Sequence, residues 1–559
     1  MVWRIKRNIW VYIKSVATIK ILRNVCLSIS FLPVLLCLEM TSYPDIGGKF
    51  LYACFALFFL NTVYLLARTR RGYFTLLFVA GWFGWIFLFL LVEFRGVPLS
   101  IFTVVAQTTF QEAIAFLSLH QAWGLLFAIV LFGVMGVVVI WKTTEKTKLY
   151  SWYQRGYSIC FIFVMLAIMI WNDFPDDRSA PPSPASAEIS SQIYPLFFLN
   201  GFLSLATQMA YGADHATVAW NSKRPLDKEM ETYVLVITDA SLSTAWQLNG
   251  YKRATSPRLA QLDKTEYLNF PHAYAGANLT AVAVPLILTG TAAENYKQIH
   301  TRPNLFDLFR EQGFITWWLA NQEAEIIAKL RIKPDFSSMP LVLNGRPPDG
   351  KLIPSFEQAL DTRYQKKMIV MHWMGSHSAY KDRFPESWPQ FDHQRDSICE
   401  IPASLKNYRN CHQRDLYDST THYSDWVLAE IIQKLRPLKG KVALLFVSDH
   451  GEAFGAEGVI GHGSVYGSIE EQRIPLFVWA NAEFRSTYAE KWQALMTNTD
   501  KWVGNDSVLP TFADLLGFTS IHLSIERSFA RPEYRLREDA RVIAGNTHLV
   551  PIRGLPKPE

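Results

Sequence analysis

Long apolar runs in the N-terminal third of this 559-residue chain constrain its fold more than any other feature. A helix needs about 20 apolar residues to cross a bilayer. Runs of about that length, or slightly shorter, cover residues 25–40, 50–67, 73–92, 123–141 and 156–171. We therefore predict a five-helix transmembrane domain over residues 1–172.

The distribution of positive charge predicts the orientation of these helices. Basic residues cluster before the first run, after the second and after the fourth, whereas the other loops hold little beyond Lys49 and Arg95. By the positive-inside rule the N-terminus is cytoplasmic, and everything after the fifth run lies on the outer side. Because the net charge of +6 follows this topology, we predict no nucleic-acid partner.

Two segments near the predicted membrane domain allow more than one interpretation. Residues 173–228 begin with a Pro/Ser-rich tether and continue into an apolar stretch at 194–211. That stretch is either a helix at the membrane surface or a buried core helix. The outer loop at 99–120 is amphipathic and carries Gln107 and Glu112, so it either helps to form a lipid-access site or is a solvated connector.

From residue 229 to the end, segments typical of strands alternate with segments typical of helices. This alternation predicts an α/β domain with a mainly parallel sheet over residues 229–559. The predicted strands are 233–238, 315–319, 367–371, 442–447 and 474–479, and the predicted helices are 304–312, 417–435 and 508–516.

Two of the predicted strands end on residues that can bind a metal ion. The strand at 442–447 is apolar throughout and is followed by Asp449 and His450, and the strand at 233–238 is followed by Asp239. Ligands gather at the carboxyl ends of parallel strands. Two carboxylates and an imidazole there would form a three-ligand site for Zn²⁺ or Mn²⁺ with an open position. The alternative is that each Asp only caps the helix that follows.

Cysteine positions agree with an outer location for the second half of the chain. Four cysteines lie in the apolar runs, whereas Cys399 and Cys411 lie in a polar stretch, 12 residues apart. In an oxidising compartment we expect these two to form a disulfide.

Short motifs along the chain add a resemblance to a known family. They occur in order at 107–113, 248–259, 280–285, 372–377, 416–420, 448–452 and 462–463. The sequences TAVAVP, HWMGSH, LYDST, SDHGE and HG are among them. Together they resemble the membrane phosphoethanolamine transferases, a branch of the alkaline phosphatase/sulfatase superfamily.

The resemblance implies an alkaline phosphatase/sulfatase-like domain in the periplasm, anchored in a bacterial inner membrane. It also implies that phosphoethanolamine moves from phosphatidylethanolamine to a Thr or Ser beside the metal, and then to a glycolipid or glycan acceptor of the lipid A or lipopolysaccharide type. The metal ligands would be Asp239, Asp449 and His450, and the substrate-binding residues would be Gln107, Glu112, Thr280, His372, His377 and His462.

The sequence departs from the family motif that follows the first strand. The family reads Gly-Glu-(Thr/Ser)-x-Arg, and this chain has Asp239 in place of the Glu and Ala240 at the position we assign to the nucleophile. Either Ser241 substitutes, or Ala240 is an engineered change, or the chain is a natural relative without a nucleophile. The last case suggests a headgroup-binding or regulatory protein, or a phosphodiesterase that uses metal-bound water.

Overall fold

The computed structural model describes residues 69–93, 123–144, 219–225, 229–322, 330–338, 347–464, 467–545 and 548–554. These residues belong to two compact units. The first unit contains the described residues up to 144, and the second contains those from 219 onward.

The first unit contains two long helices, α1 (Arg70–Glu93) and α2 (Trp123–Thr143). They pack closely, because Gly136 of α2 leaves room for the ring of Phe78 and Trp82 donates its indole N–H to the carbonyl of Ile129 at 2.7 Å. They coincide with the predicted runs 73–92 and 123–141, and the other three runs lie outside the described residues. Within the described part of the chain, no helix has the length and hydropathy needed to cross a membrane.

The second unit is built around a seven-stranded sheet. Its strands run in the order β2-β11-β7-β1-β6-β4-β5. The strands of this unit are β1 (Glu231–Thr238), β2 (Tyr267–Asn269), β3 (Ala273–Tyr274), β4 (Ile315–Ala320), β5 (Phe336–Ser338), β6 (Lys366–His372), β7 (Lys441–Ser448), β8 (Ala453–Phe454), β9 (Ile460–Gly461), β10 (Arg473–Ile474), β11 (Leu476–Ala480), β12 (Val503–Gly504), β13 (Arg541–Ala544) and β14 (His548–Pro551).

The helices of the second unit lie between these strands along the chain. They are α3 (Thr280–Thr289), α4 (Leu305–Glu311), α5 (Ile353–Leu360), α6 (His393–Asp396), α7 (Tyr408–Leu435), α8 (Ile469–Gln472), α9 (Ala482–Thr487), α10 (Ala489–Thr497) and α11 (Val508–Leu515).

The central strands confirm the predicted α/β class with a mainly parallel sheet. β1 pairs in parallel with both β6 and β7, and β4 pairs in parallel with β5 and β6. The antiparallel pairs of this sheet lie at one edge, where β11 runs in the opposite direction to both of its neighbours, β7 and β2. The predicted strand 474–479 is interrupted at Pro475, because proline has no N–H to donate to a neighbouring strand.

Helices cover both faces of the sheet, which explains why β1 and β7 are buried along their whole length. On one face, Val234 and Phe446 share a hydrophobic cluster with Val427 and Ile431 of α7. On the other face, the ring of Tyr233 contacts aromatic rings of α4 and α9. Parallel strands covered in this way are typically apolar throughout.

The long helix α7 begins earlier than the sequence pattern indicated. It begins at Tyr408, where the side chain of Asn407 accepts a hydrogen bond from the backbone N–H of Asn410. Its first turns are polar, so their periodicity carries no hydrophobic signal. The predicted disulfide between Cys399 and Cys411 is present and joins this first part of α7 to the preceding loop.

A buried arginine also connects that loop to α7. The guanidinium of Arg253 binds Asp396 at 2.8 Å, Asp415 at 2.6 Å and Asp418 at 2.7 Å. The two last carboxylates belong to α7 and are almost fully buried, so the cationic partner offsets the cost of their burial. The disulfide and Arg253 therefore stabilise the same side of the domain.

Candidate active site

β1 and β7 end side by side, and the residues that follow them come together. Thr238 is paired with Ser448, and the backbone N–H of Asp449 donates to the carbonyl of Thr238 at 2.9 Å. As a result, ligand atoms of Asp239, Asp449 and His450 all lie within 4.8 Å of one another. The sheet edge thus assembles the three residues that the sequence singled out.

The donor atoms of these three residues suit a divalent cation. The Nδ1 atom of His450 lies 2.9 Å from the carbonyl oxygen of Gly451, which can only accept, so Nδ1 carries the proton and Nε2 keeps its lone pair. This Nε2 is 3.6 Å from Oδ1 of Asp239 and 3.6 Å from Oδ2 of Asp449. Both oxygens are buried, and neither has a hydrogen-bond partner among the described residues. Buried carboxylate oxygens without partners are costly unless a cation binds them.

Burial also changes the acidity of the three side chains. It raises the pKa of Asp239 well above its usual value and raises the pKa of Asp449 to about 6. Burial, together with the charge of the neighbouring His462, lowers the pKa of His450 to about 3. The site therefore disfavours negative charge on its carboxylates and favours a neutral imidazole, as a metal-binding histidine requires.

A hydroxyl group lies directly beside the three residues. Thr280 is the first residue of α3, and its Oγ1 is 3.2 Å from Nε2 of His450 and 3.4 Å from Oδ2 of Asp239. The positive end of a helix dipole favours negative charge at this place. Thr280 thus places a hydroxyl at a helix N-terminus, directly beside Asp239 and His450.

Ala240 and Ser241, which follow Asp239, are both held by hydrogen bonds to buried residues. Ala240 is fully buried in a left-handed conformation with φ +52°, and its backbone N–H donates to Asp449 at 3.2 Å while its carbonyl accepts from Tyr417 at 2.8 Å. The hydroxyl of Ser241 accepts a hydrogen bond from the indole of Trp246 at 2.9 Å, inside the hydrophobic core. This hydrogen bond directs the Ser241 hydroxyl toward Trp246. That Ser241 substitutes for a nucleophile stays a prediction.

Two further histidines lie next to this cluster. The ring of His462 is 4.4 Å from the ring of His450 and 5.2 Å from the ring of His377. Nδ1 of His462 is 2.6 Å from one carboxylate oxygen of Glu452, and Tyr380 donates to the other oxygen at 2.6 Å. The Glu452 carboxylate therefore orients the imidazole of His462.

His462 brings a cationic group to the cluster. Burial alone would lower the pKa of His462, but the Glu452 carboxylate overcomes this effect and raises that pKa to about 9. At neutral pH the imidazole therefore carries a proton on each nitrogen. Such a group can hold a phosphoryl oxygen or give a proton to a departing oxygen.

The remaining predicted site residues are His372, Gln107 and Glu112. His372 ends β6, is fully buried and lies with its ring 5.4 Å from that of Trp318, so its phosphoryl-binding role stays a prediction. Gln107 and Glu112 lie outside the described residues.

Several residues that the sequence did not single out hold the site in place. Asp349 accepts hydrogen bonds from the backbone N–H groups of Met374 and Gly375, each at 2.9 Å. Asn505 donates to the carbonyl of Asp449 at 2.7 Å. Asp349 and Asn505 each begin a short 3-10 helix outside the motifs. No spacing pattern connects them to the strand ends.

Comparison with known proteins places this site in a family. A family model described as Sulfatase matches residues 231–518, which include all of the site residues described above. The chain belongs to the sulfatase family. Among curated relatives, this sulfatase-family chain is 22% identical over 460 residues to the phosphoethanolamine transferase EptC of Escherichia coli K12, covering 78% of each chain. It is 26% identical over 321 residues to the phosphoethanolamine transferase EptA of Salmonella typhimurium LT2, covering 55% of this chain and 56% of that protein.

Solved structures share the fold of this sulfatase-family chain. The integral membrane protein lipooligosaccharide phosphoethanolamine transferase A (EptA) from Neisseria meningitidis superposes with a TM-score of 0.66 and 21% identity, over 91% of this chain and 97% of that one. The C-terminal periplasmic domain of Escherichia coli EptC, in complex with Zn, gives a TM-score of 0.54 and 22% identity, over 62% of this chain and 98% of that one.

Proposed function

We propose that this chain is a phosphoethanolamine transferase that uses Thr280 as its nucleophile. The observation that carries the proposal is the position of the Thr280 hydroxyl, 3.2 Å from Nε2 of His450 and 3.4 Å from Oδ2 of Asp239. The names of the relatives EptC and EptA support the type of group that is transferred. Thr280 takes the role that we had assigned to position 240, so Ala240 no longer argues against turnover.

We further propose that Asp239, Asp449 and His450 hold Zn²⁺, or alternatively Mn²⁺. The zinc complex of the EptC domain and the two unpartnered carboxylate oxygens support this choice. A bound ion would lower the pKa of a neighbouring hydroxyl and offset the charge of the phosphoryl oxygens. The residues of the chain supply the rest of the chemistry.

In the first step, Oγ1 of Thr280 attacks the phosphorus of phosphatidylethanolamine, and the bond from phosphorus to the glycerol oxygen breaks. The protonated His462 gives its proton to that oxygen, so diacylglycerol leaves as a neutral alcohol. The proton lost by Thr280 returns to His462 by way of solvent, so atoms and charge balance. In the second step, the oxygen of an acceptor hydroxyl attacks the same phosphorus, and the bond from phosphorus to Oγ1 of Thr280 breaks. His462 gives a proton to Oγ1, and the proton lost by the acceptor returns to His462 by way of solvent.

We propose the bacterial inner membrane as the location of the protein, with a cytoplasmic N-terminus and a periplasmic catalytic domain at residues 229–559. The apolar runs, the basic residues between them, and the disulfide between Cys399 and Cys411 support this arrangement. Phosphatidylethanolamine is then the donor, and the acceptor is an envelope glycan or glycolipid of the lipid A or lipopolysaccharide type. Gln107 and Glu112 would contact the lipid.

The product formed from a labelled donor tests this function. The full chain in detergent is incubated with headgroup-labelled phosphatidylethanolamine and lipid A, and we expect the label on lipid A together with free diacylglycerol. Free phosphoethanolamine would instead indicate a phosphodiesterase, and the absence of any product would indicate a binding protein. We expect Thr280→Ala to lower the rate by about 10⁴-fold. The matched variant Ser241→Ala, which also removes a hydroxyl, should retain most of the activity.

A further inference from the structure

Gln322 holds the Asp239 carboxylate in one orientation. Its side-chain nitrogen Nε2 donates to Oδ2 of Asp239 at 2.6 Å and to the carbonyl oxygen of Trp373 at 3.0 Å. A carbonyl oxygen can only accept, so the amide nitrogen, and not the amide oxygen, must face both partners. Both N–H groups of Gln322 are therefore committed, and the side chain is buried.

The segment that carries Gln322 is itself fixed to the sheet. It directly follows β4, and the backbone N–H of Asn321 donates to the carbonyl of His372 at the end of β6 at 2.8 Å. The side chain of Asn321 donates to Asp349 at 3.1 Å. Gln322 thus projects from a defined position at the same sheet edge as Asp239.

The two oxygens of Asp239 have different surroundings as a result. Oδ2 accepts from Gln322 and lies near Thr280, whereas Oδ1 lies 3.6 Å from Nε2 of His450 and has no hydrogen-bond partner among the described residues. Rotation of the carboxylate would break the 2.6 Å hydrogen bond. A metal ion bound here would consequently meet Oδ1 and not the pair of oxygens.

We propose that Gln322 is a positioning residue that makes Asp239 a ligand through Oδ1 alone and reserves Oδ2 for the side of Thr280. This inference rests on the proposed metal site. Hydrogen-bond partners of metal ligands orient those ligands, and their removal commonly lowers metal affinity 10- to 100-fold, as a rough guide. Gln322 is neutral, so it can orient the carboxylate without reducing its attraction for a cation.

Side-chain length gives the proposal a second, more specific consequence. Asp239→Glu adds one methylene and would push the carboxylate into the amide of Gln322, which leaves no spare distance at 2.6 Å. Gln322→Asn removes one methylene from the opposite side. We therefore expect each single change to weaken zinc binding and the pair Asp239→Glu with Gln322→Asn to recover part of the loss.

The proposal is tested by measuring the zinc affinity of the full chain in detergent. The affinity is obtained from competition with a chromogenic chelator. We expect Gln322→Leu to weaken zinc binding about 10- to 100-fold, and X-ray absorption to show a changed number or spread of oxygen ligands. The control Gln312→Leu removes an amide that donates to the carbonyl of Ser222, away from the site, and should leave the affinity unchanged. The melting temperature of each chelator-treated variant shows whether folding is affected.

Several outcomes would overturn the inference. A folded Gln322→Leu variant with wild-type zinc affinity and ligand number would contradict it, and so would a double variant no better than the worse single one. If Gln322→Leu does not fold, Gln322→Asn alone decides in the same way. A wild-type chain that binds no zinc would refute the metal site as well. Zinc binding that responds to Gln322 without any lipid turnover would refute only the proposed transferase function.

Discussion

At the scale of single residues, Ala240 illustrates how a position beside the proposed active site can act through its backbone. Its N–H donates to Asp449, its carbonyl accepts from Tyr417, and φ is +52°. The left-handed conformation costs an alanine roughly 1–2 kcal/mol, and the two hydrogen bonds hold the backbone there. The methyl group is fully buried.

We expect Ala240→Thr to destabilise the protein without increasing turnover. A β-branched side chain is poorly tolerated at positive φ, and the buried position leaves no room for extra atoms, so the cost should be about 1–3 kcal/mol. Thermal unfolding and phosphatidylethanolamine turnover measure the two effects. An increase in turnover would restore position 240 as the nucleophile and contradict the role of Thr280.

Asp396 provides a pH-dependent contribution to stability. Although partial burial would raise the pKa of Asp396, its hydrogen bonds with Arg253 and with the N–H of Ile398 lower that pKa. A carboxyl whose pKa is lower in the folded protein stabilises the fold above its unfolded pKa of about 3.9, and loses this effect as the pH falls through the folded pKa.

We therefore expect Asp396→Asn to reduce the free energy of unfolding at pH 7. The difference from wild type should shrink as the pH falls below about 4, where Asp396 of the wild type also becomes neutral. Urea unfolding at several pH values gives the measurement, with the exposed Asp500→Asn as a control. A difference that stays constant down to the lowest pH would contradict the assignment.

At the scale of elements, the turn after β6 packs closely against the end of β1. Gly375 has φ +53°, and a Cβ atom there would lie 2.6 Å from the carbonyl oxygen of Asp239 and 2.8 Å from its nitrogen, as well as in contact with the Thr238 hydroxyl. Ser376 donates its N–H to the same carbonyl at 2.9 Å. This glycine allows the HWMGSH segment to approach Asp239 closely.

We expect Gly375→Ala to displace Asp239 and lower both zinc affinity and stability, the latter by more than the roughly 1 kcal/mol of a left-handed alanine. Gly313→Ala is the matched control, because Gly313 has φ +77° but no atom within 4 Å of the new Cβ. Equal effects of the two substitutions on zinc affinity would show that the close approach at Gly375 is unimportant.

The sequence predicted the strands and helices best where every residue of an element is buried. β1 and β7 contain unbroken apolar runs at 233–237 and 442–447, since helices cover both of their faces, and their predicted bounds agree closely with the structure. The start of α7 was missed because its first turns bury charged residues such as Arg414 and Asp415 in an ion-pair network. Such partners come from remote segments and leave no periodic pattern.

The sequence also predicted the part of the candidate site that lies at strand ends. Asp239, Asp449 and His450 follow strands, so the parallel sheet was enough to bring them together. The position of the Thr280 hydroxyl depends on where α3 begins relative to the sheet edge. The position of the Gln322 amide depends on the course of the chain after β4. Neither position follows from local spacing.

At the scale of the whole molecule, Arg224 anchors residues 219–225, the first described segment of the second unit. Its guanidinium forms two hydrogen bonds with Glu231 at the start of β1, at 3.0 Å and 2.5 Å, and its Nε donates to the carbonyl of Leu516 at 2.8 Å. The Glu231 side chain is fully buried. Removal of Arg224 would leave Lys366, 3.6 Å away, as the cation nearest to Glu231 among the ion pairs of the described residues.

We expect Arg224→Ala to lower the free energy of unfolding of the second unit by about 3 kcal/mol, because it breaks a buried ion pair from one side. Arg310→Ala removes a more exposed pair with Asp307 and should cost less than about 1 kcal/mol. Urea unfolding of the two variants gives the comparison. Equal costs would mean that Arg224 does not anchor the segment.

The proposed transferase mechanism requires that a hydroxyl at the start of α3, that of Thr280, forms a covalent bond to phosphorus. Mass spectrometry of peptides from the full chain, quenched during turnover of phosphatidylethanolamine in the absence of an acceptor, tests this directly. We expect phosphoethanolamine on Thr280 in the wild-type protein and no adduct in Thr280→Ala. An adduct on another residue, or normal turnover by Thr280→Ala, would contradict the account.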